Sequence, residues 1–178
     1  MSGDREIASG WQARTELLLG EGSLAKLNGS HVLVVGLGGV GACAAEMICR
    51  AGVGRMTIVD GDVVEDSNRN RQLPALASTV GMRKADVVAA RLRDVNPEAE
   101  ITPIAEYLKD RRMEELLDAA KYSCVLDAID TLSPKFYLIC LSLERGLKVV
   151  SSMGSGARLD PEKVRCADIE ESCNCSLA

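Results

Sequence analysis

The segment from residue 31 to residue 50, HVLVVGLGGVGACAAEMICR, constrains the fold of this chain more than any other. A run of apolar residues leads into Gly36-x-Gly38-x-x-Gly41, and an apolar pattern suited to a helix follows. This order is typical of a Rossmann-like strand, phosphate-binding turn and helix. Its glycines allow a tight turn, a close approach of the phosphate and close packing of the helix on the strand. Taken alone, the loop indicates a dinucleotide such as NAD or FAD.

The rest of the sequence alternates between patterns of strand and helix. We predict strands at residues 31–35, 56–59, 101–105, 122–127 and 149–151, and a sixth strand at 164–169. We predict helices at residues 39–51, 84–93, 112–120 and 134–145. Repeated strand–helix units form parallel sheets. The predicted fold class is therefore α/β, a Rossmann-like, doubly wound and mostly parallel sheet with an N-terminal helical segment.

Two regions are predicted along the chain. Residues 1–30 form an N-terminal helical arm, in which one or two amphipathic helices across 11–27 offer Leu17, Leu18, Leu24 and Leu27 for packing. Residues 31–178 form the nucleotide-binding domain. The chain stops soon after the sixth predicted strand without a closing element, so we expect the C-terminal part of the full protein to be missing.

Composition limits the class of protein. The chain has 178 residues, a hydrophobic share of 47% and a mean hydropathy of +0.04, which suit one globular domain. No apolar run reaches the roughly 18–20 residues of a membrane span, and the polar N-terminus differs from a secretory signal. We therefore expect a cytoplasmic protein with no membrane partner. The net charge of −5 disfavours a protein that binds nucleic acid over its whole surface. It still allows a local basic patch at Arg69, Arg71, Arg83 and Lys84.

The cysteines argue against disulfides and zinc. There are seven, an odd number, and we predict that Cys43, Cys49, Cys124 and Cys140 are buried as small hydrophobic side chains. The pair Cys173-x-Cys175 does not have the spacing of a structural zinc site, and no second pair exists, so no zinc is expected.

Charged clusters after the predicted strands distinguish a redox cofactor from a nucleoside triphosphate. Asp60 ends the second strand, where an acidic side chain can accept a hydrogen bond from a ribose hydroxyl. The further clusters are Asp62, Asn68-Arg69-Asn70-Arg71-Gln72, Arg83-Lys84 and Asp127-Ala-Ile-Asp130. A triphosphate needs cations beside its phosphates and a carboxylate to hold Mg²⁺, whereas a nicotinamide or flavin site has no evident need for them. The combined pattern favours ATP and Mg²⁺ over NAD.

These motifs together resemble the adenylating superfamily that includes ubiquitin-activating enzymes and bacterial enzymes of the molybdopterin and thiamine pathways. Within it, three stretches are similar to the tRNA threonylcarbamoyladenosine dehydratase branch: WQARTELLLG at 11–20, DAIDTLSPK at 127–135 and SMGSGARLDP at 152–161. The resemblance covers nearly the whole chain. It implies that residues 31–178 form an ATP-binding adenylation domain.

The resemblance also implies a role for each matching residue. Gly36, Gly38, Gly39 and Gly41 carry the phosphate loop; Asp60 holds the ribose, and Asp62 helps to fix the site. Asn68, Arg71 and Lys84 contact the phosphates, Asp130 binds Mg²⁺, and Arg14 reaches into the site of the neighbouring subunit of a homodimer. Arg14, Arg71, Lys84 and Asp130 are the expected catalytic residues.

The implied reaction is the adenylation of a carboxylate, with threonylcarbamoyladenosine in tRNA as the expected substrate. The carbamoyl group then closes a ring and expels AMP, which requires no enzyme nucleophile. A competing hypothesis is activation of the C-terminal glycine of a ubiquitin-like or sulfur-carrier protein, and a protein of a cysteine-desulfurase system is a further candidate partner. The sequence leaves two more functions open: an NAD(P)-dependent oxidoreductase and a nucleotide-binding module without catalysis.

Overall fold

A computed structural model describes residues 10–172, 175 and 177 of the chain. Its five strands are β1 (His31–Val35), β2 (Arg55–Val59), β3 (Glu100–Ile104), β4 (Cys124–Asp127) and β5 (Val149–Ser151). They form one sheet in the order β3-β2-β1-β4-β5, and all four pairings are parallel. The predicted Rossmann-like α/β class is confirmed.

Six α-helices connect and flank the strands. They are α1 (Ala13–Leu19), α2 (Glu21–Asn28), α3 (Gly41–Ala51), α4 (Lys84–Val95), α5 (Arg111–Asp118) and α6 (Leu132–Glu144). The predicted strands and helices from 31 to 151 are all present, with ends within a few residues of the predicted ones. Among the described residues, no helix is both long and apolar enough to cross a membrane.

The sheet separates two apolar layers, because successive side chains of a strand point to opposite faces. In β1, Val32 and Val34 face a layer formed with α3 and α4. Leu33 and Val35 face a second layer formed with α5 and α6. The central strand β1 is therefore apolar at four successive positions, Val32–Val35, as expected for a parallel sheet covered on both faces.

The edge strand β3 contains a proline, Pro103, opposite Ile58 of β2. Proline has no N–H to donate to a neighbouring strand, so within sheets it is confined mainly to edges. The position of Pro103 agrees with the place of β3 at one end of the strand order.

The predicted sixth strand at 164–169 is wrong. Residues 164–168 have no regular secondary structure and lie between two single 3₁₀ turns, Pro161–Lys163 and Ile169–Glu171. The Asp160 and Asp168 carboxylates accept hydrogen bonds from the N–H groups of Glu162 and Glu170 at the start of these turns. Aspartate side chains that bond to nearby backbone groups compete with strand formation.

The predicted burial of Cys43 is also wrong, because its side chain is exposed. The inward face of α3 carries Ala42, Ala45, Glu46 and Cys49, and Cys43 lies one position off this stripe. Cys49 is buried as predicted, while Cys124 and Cys140 are half-buried. Cys173 of the predicted Cys173-x-Cys175 pair lies outside the described residues.

The N-terminal arm packs only in part. Residues 1–9 of the predicted arm lie outside the described residues. In α2, Leu27 packs against the core layer of α3 and α4. In α1, Leu17 and Leu18 are 56% and 82% exposed, so the predicted packing of these two side chains does not occur within the described chain.

Glu46 is a buried charge in the apolar stripe of α3. Its carboxylate accepts hydrogen bonds from Arg50, at 2.7 and 2.9 Å, and from Arg91 of α4, the nearest at 2.5 Å. The hydrogen bond from Arg91 lowers the pKa of Glu46 in spite of burial, and Arg50 adds to the effect. This ion pair ties α3 to α4 on the face of the sheet away from α5 and α6.

We expect Gly41→Ala to destabilise the fold. A Cβ at Gly41 would lie 1.8 Å from the Gly36 carbonyl oxygen and 3.0 Å from the Ala128 Cβ, so the backbone would have to shift. The expected loss in the free energy of unfolding is about 1–3 kcal/mol, measured by urea denaturation.

The matched control is Gly22→Ala in α2. A Cβ there would meet nothing within 4 Å. This change is expected to stabilise the protein by about 0.5–1 kcal/mol, since alanine loses less backbone entropy than glycine in a helix. A Gly41→Ala variant as stable as wild type would contradict the close packing of α3 on the glycine loop.

Candidate active site

A cleft of about 1020 Å³ opens at the carboxyl ends of the strands. Open parallel sheets bind ligands at this edge, at the point where the strand order reverses. Here that point lies between β1 and β4. The residues that line the cleft include Gly36, Gly38, Asp60, Asp62, Lys84 and Asp130. The fold thus brings together predicted site residues that are widely separated in the sequence.

The glycine loop packs directly against the loop that follows β4. Gly36 has a φ of +89°, and a Cβ on it would lie 2.6 Å from the Ala128 carbonyl oxygen. The Ala128 N–H donates to the Val35 carbonyl oxygen at 2.8 Å. Only glycine fits position 36, because both the left-handed conformation and the close contact exclude a side chain.

Asp60 is held by the backbone on both of its carboxylate oxygens. The Leu37 N–H donates to one oxygen at 2.7 Å, and the Asp62 N–H donates to the other at 2.8 Å. Burial raises the pKa of Asp60 above that of an ordinary aspartate, against the opposing effect of these two hydrogen bonds. The carboxylate is therefore fixed at the end of β2, with the glycine loop bonded to it.

Lys84 lies at the first residue of α4 and forms an ion pair with Asp62. Its ammonium donates to one Asp62 oxygen at 2.7 Å, and the Tyr107 hydroxyl donates to the other. Burial opposes ionisation of Asp62, but the hydrogen bonds from Lys84 and Tyr107 outweigh it and lower its pKa. The Lys84 side chain lines the cleft and is only 6% exposed, so its charge is largely shielded from solvent.

The segment 68–72 packs beside the glycine loop. A Cβ on Gly39 would lie 3.5 Å from the Arg71 carbonyl oxygen, and a Cβ on Gly38 would lie 3.7 Å from the Gln72 side-chain nitrogen. Asn68 is buried; its side-chain oxygen accepts from the Glu65 N–H at 3.1 Å and closes a capping box. Asn68 therefore fixes this segment, and with Asp62, Lys84 and Tyr107 it also lines a smaller cavity of about 160 Å³ beside the cleft.

Arg71 does not point into the cleft in this structure. Its guanidinium donates to the Ser67 carbonyl oxygen at 3.2 Å and to the Asn70 side chain at 2.9 Å. Arg14 lies on α1 and is exposed, and it is not among the residues that line the cleft. The predicted phosphate contact of Arg71 and the predicted role of Arg14 therefore stay predictions.

Asp130 is exposed at the wall of the cleft, and it makes no hydrogen bond or ion pair with any residue of the described chain. The described residues contain no group of three His, Cys, Asp or Glu side chains arranged to hold a metal ion by themselves. A metal at Asp130 would need further ligands from a bound molecule.

Three residues in or beneath the site were given no role from the sequence. Tyr107 follows β3, and its ring lies against Gly61, where a Cβ would be 2.6 Å from the ring. Gln72 lines the cleft, and its side-chain oxygen is buried without a hydrogen-bond partner among the described residues. Lys135 forms a buried ion pair with Asp127 beneath the Asp130 loop. Gln72 and Lys135 lie within motifs that the sequence shows, but the motifs give them no role, and Tyr107 lies in none of them.

The parallel sheet, the glycine loop at its switch point and the acidic residue after β2 define an α/β protein of the Rossmann class. Residues 12–172 match the ThiF family. The chain belongs to this family, which confirms the adenylating superfamily indicated by its motifs.

Several similar proteins are tRNA threonylcarbamoyladenosine dehydratases. The chain is 41% identical over 160 residues to the tRNA threonylcarbamoyladenosine dehydratase of Bacillus subtilis, covering 90% of this chain and 63% of that protein. It is 36% identical over 175 residues to the enzyme of the same name from Escherichia coli, covering 97% of this chain and 65% of that protein. The chain thus spans less than two thirds of the length of these curated relatives.

A solved structure of the Escherichia coli dehydratase in complex with ATP superposes on this fold with a TM-score of 0.90. The two are 36% identical, and the match covers 96% of this chain and 71% of that chain. The same protein has also been solved in complex with AMP, with the same TM-score of 0.90.

We expect Tyr107→Phe to raise the pKa of Asp62. The change removes a hydrogen bond that favours the ionised carboxylate while keeping the aromatic ring against Gly61. Carboxyl-carbon NMR titration measures the shift. The control is Tyr137→Phe, whose hydroxyl donates to Glu114 instead, at 2.8 Å. An Asp62 titration that is identical in wild type and Tyr107→Phe would show that the hydrogen bond does not act on Asp62.

Proposed function

We propose that this protein adenylates a carboxylate with ATP, and that its substrate is the threonylcarbamoyl group of a modified adenosine in tRNA. The observation that carries the proposal is the cleft itself. It places Gly36, Asp60, Lys84 and the carboxylate of Asp130 around one space at the switch point of the sheet. The relative solved with ATP has the same fold at 36% identity, which supports ATP as the nucleotide.

Each part of the nucleotide matches a different wall of the cleft. The amides of the glycine loop and the start of α3 suit the phosphates. Asp60 suits the ribose hydroxyls, because both its oxygens have acceptor capacity beyond the backbone bonds that hold them. Lys84 keeps two of its three N–H donors beyond the Asp62 bond, so it can bind a phosphate oxygen without leaving its partner.

The residues present also fit Mg²⁺. This ion keeps several waters and binds through one or two carboxylates together with substrate phosphates. Asp130 lines the same cleft as the glycine loop and has no partner in the described chain, which matches this requirement better than a preformed cluster of ligands would. When bound, Mg²⁺ would neutralise charge on the phosphates and help to orient them.

The reaction follows from positioning and charge. The substrate carboxylate attacks the α-phosphorus of ATP, a new P–O bond forms, and the bond to pyrophosphate breaks. Lys84 stabilises the negative charge that develops on the phosphates, and Arg71 adds to this effect once its guanidinium turns from Ser67 and Asn70 towards the cleft. The fixed geometry supplies much of the rate. The carbamoyl group then attacks the activated carbonyl, and AMP leaves as the ring closes. No step needs a nucleophile from the protein.

The choice of tRNA as substrate is supported by the relatives' names. Several relatives, among them those of Bacillus subtilis and Escherichia coli, are tRNA threonylcarbamoyladenosine dehydratases. A molybdopterin-synthase adenylyltransferase of Salmonella typhimurium is also 41% identical, but over 107 residues and 60% of this chain. The greater coverage by the dehydratases favours tRNA over the C-terminus of a small carrier protein.

We also propose that the full-length protein is a homodimer with its nucleotide domain in residues 31–178. The exposed Leu17 and Leu18 on α1 offer an apolar surface beside Arg14. A second copy that covered this surface would lie beside Arg14, as a role of Arg14 in the partner's site requires.

The experiment for the proposed reaction measures pyrophosphate release by the full-length protein with ATP, Mg²⁺ and tRNA. Release is expected with threonylcarbamoyl-modified tRNA and only background release with unmodified tRNA, because the latter lacks the attacking carboxylate. Equal release from both tRNAs would overturn the dehydratase function. Release with a carrier protein ending in Gly-Gly, and with neither tRNA, would establish carrier-protein activation in its place.

Variants link the same reaction to the site. Lys84→Met and Asp130→Asn are each expected to slow release by about 10²–10³-fold, since each removes a charge aimed at the phosphates. The matched control is Lys148→Met. This change removes an exposed lysine just before β5, at the end of the strands away from the cleft. Retained activity in both site variants would contradict the assignment of the cleft.

Mixing variants tests the role of Arg14 in the partner's site. Arg14→Ala and Asp130→Asn proteins are each expected to be inactive. Unfolded and refolded together in equal amounts, about half of the dimers that form are mixed, and one of the two sites in each mixed dimer has both residues intact. Activity therefore returns to about one quarter of wild type. Two samples of the same variant, mixed in the same way, are the control. No recovery in the mixed sample would show that Arg14 does not act across the interface.

A further inference from the structure

Lys135, in the first turn of α6, forms an ion pair with Asp127 at the end of β4. Their side chains are 1% and 0% exposed. In the described part of the chain, no other ion pair has both side chains buried to this degree. Lys135 is not among the residues that line the cleft, so it does not act on a bound nucleotide directly.

The hydrogen bonds around Lys135 form a closed network. Its ammonium has three donors, and they reach the Asp127 carboxylate, the Ser151 hydroxyl at 3.1 Å and the Ser152 carbonyl oxygen at 2.9 Å. The Ser151 hydroxyl in turn donates to Asp127 at 2.6 Å. The network joins the end of β4, the first turn of α6 and the end of β5.

A buried ion pair is an inefficient way to stabilise a core. Removing two charges from water costs several kcal/mol for each ion, and well-packed apolar residues of similar size are often as stable or more stable. Beyond stability, the Lys135 network fixes the orientation of the Asp127 carboxylate.

The orientation of the Asp127 carboxylate determines the position of the loop that contains Asp130. The second oxygen of Asp127 accepts the Ile129 N–H at 3.0 Å. Ile129 directly precedes Asp130, and the residue before it, Ala128, packs against Gly36 of the phosphate loop. The position of Asp130 relative to the phosphate loop therefore depends on the carboxylate that Lys135 holds.

We propose that Lys135 is a positioning residue for the metal-binding carboxylate. By holding Asp127, it fixes Asp130 relative to the phosphate loop, beside which Mg²⁺ and a triphosphate would bind. The proposal rests on the proposed binding of ATP in the cleft. It predicts that loss of Lys135 weakens the contribution of Mg²⁺ to ATP binding more than it weakens the binding of ATP itself.

The experiment measures ATP affinity by titration calorimetry on the full-length protein, once with Mg²⁺ and once with EDTA. In wild type, Mg²⁺ strengthens ATP binding. In Lys135→Met, the factor by which Mg²⁺ strengthens binding is expected to fall by about 10-fold or more, the usual effect of losing a residue that orients a metal ligand. The affinity in EDTA is expected to stay close to that of wild type.

The ion pairs of Glu46, in which only the carboxylate is buried, provide the control. Glu46→Gln removes the charge that pairs with Arg50 and Arg91 on the other face of the sheet, away from the cleft. This variant is expected to lower Tm and to keep the full effect of Mg²⁺. Ser151→Ala removes one partner of Lys135 and is expected to reduce the effect of Mg²⁺ less than Lys135→Met does. It serves as the test variant should Lys135→Met fail to fold.

The outcomes separate the two proposals. If Lys135→Met, or Ser151→Ala in its place, lowers Tm but keeps the full effect of Mg²⁺, the network is only structural and the positioning role is overturned. If wild type binds ATP in neither condition, the proposed function itself is overturned, and the positioning role with it.

Discussion

The contact between the Gly36 turn and the Ala128 backbone is the constraint on which the rest of the site depends. It forces the loops after β1 and β4 against each other at the point where the strand order reverses. A side chain at position 36 would separate the two loops, and with them the glycine loop and the Asp130 carboxylate. Both loops line the cleft of about 1020 Å³ at this end of the sheet.

Two carboxylates at the end of β2 behave differently although they are two residues apart. Burial raises the pKa of Asp60, whereas hydrogen bonds from Lys84 and Tyr107 overcome burial and lower that of Asp62. The stability that the Asp62–Lys84 pair contributes is present above the pKa of an unfolded aspartate and is lost as the pH falls through its lowered value. The ionised form of Asp60 carries a cost near neutral pH, which is relieved as the pH falls through its raised value.

The sequence was sufficient for the class of fold and for most of the cleft, because strand–helix alternation and residues that follow strands are local signals. Cys43 and residues 164–169 were misjudged because a helix face and a strand partner are set by packing, which a local pattern does not contain. Tyr107 and Lys135 were missed for the same reason. Each acts through a contact with a residue at least eight positions away, and neither residue type marks such a contact by itself.

The proline in β3 has a consequence for how this protein behaves at high concentration. Exposed sheet edges pair readily with other chains, and this is a common start of aggregation. Pro103 leaves a gap in the row of donors on one edge of the described sheet, and on the other edge β5 is only three residues long. Neither edge offers a long, regular template, so intermolecular strand pairing is disfavoured on both sides of the described sheet.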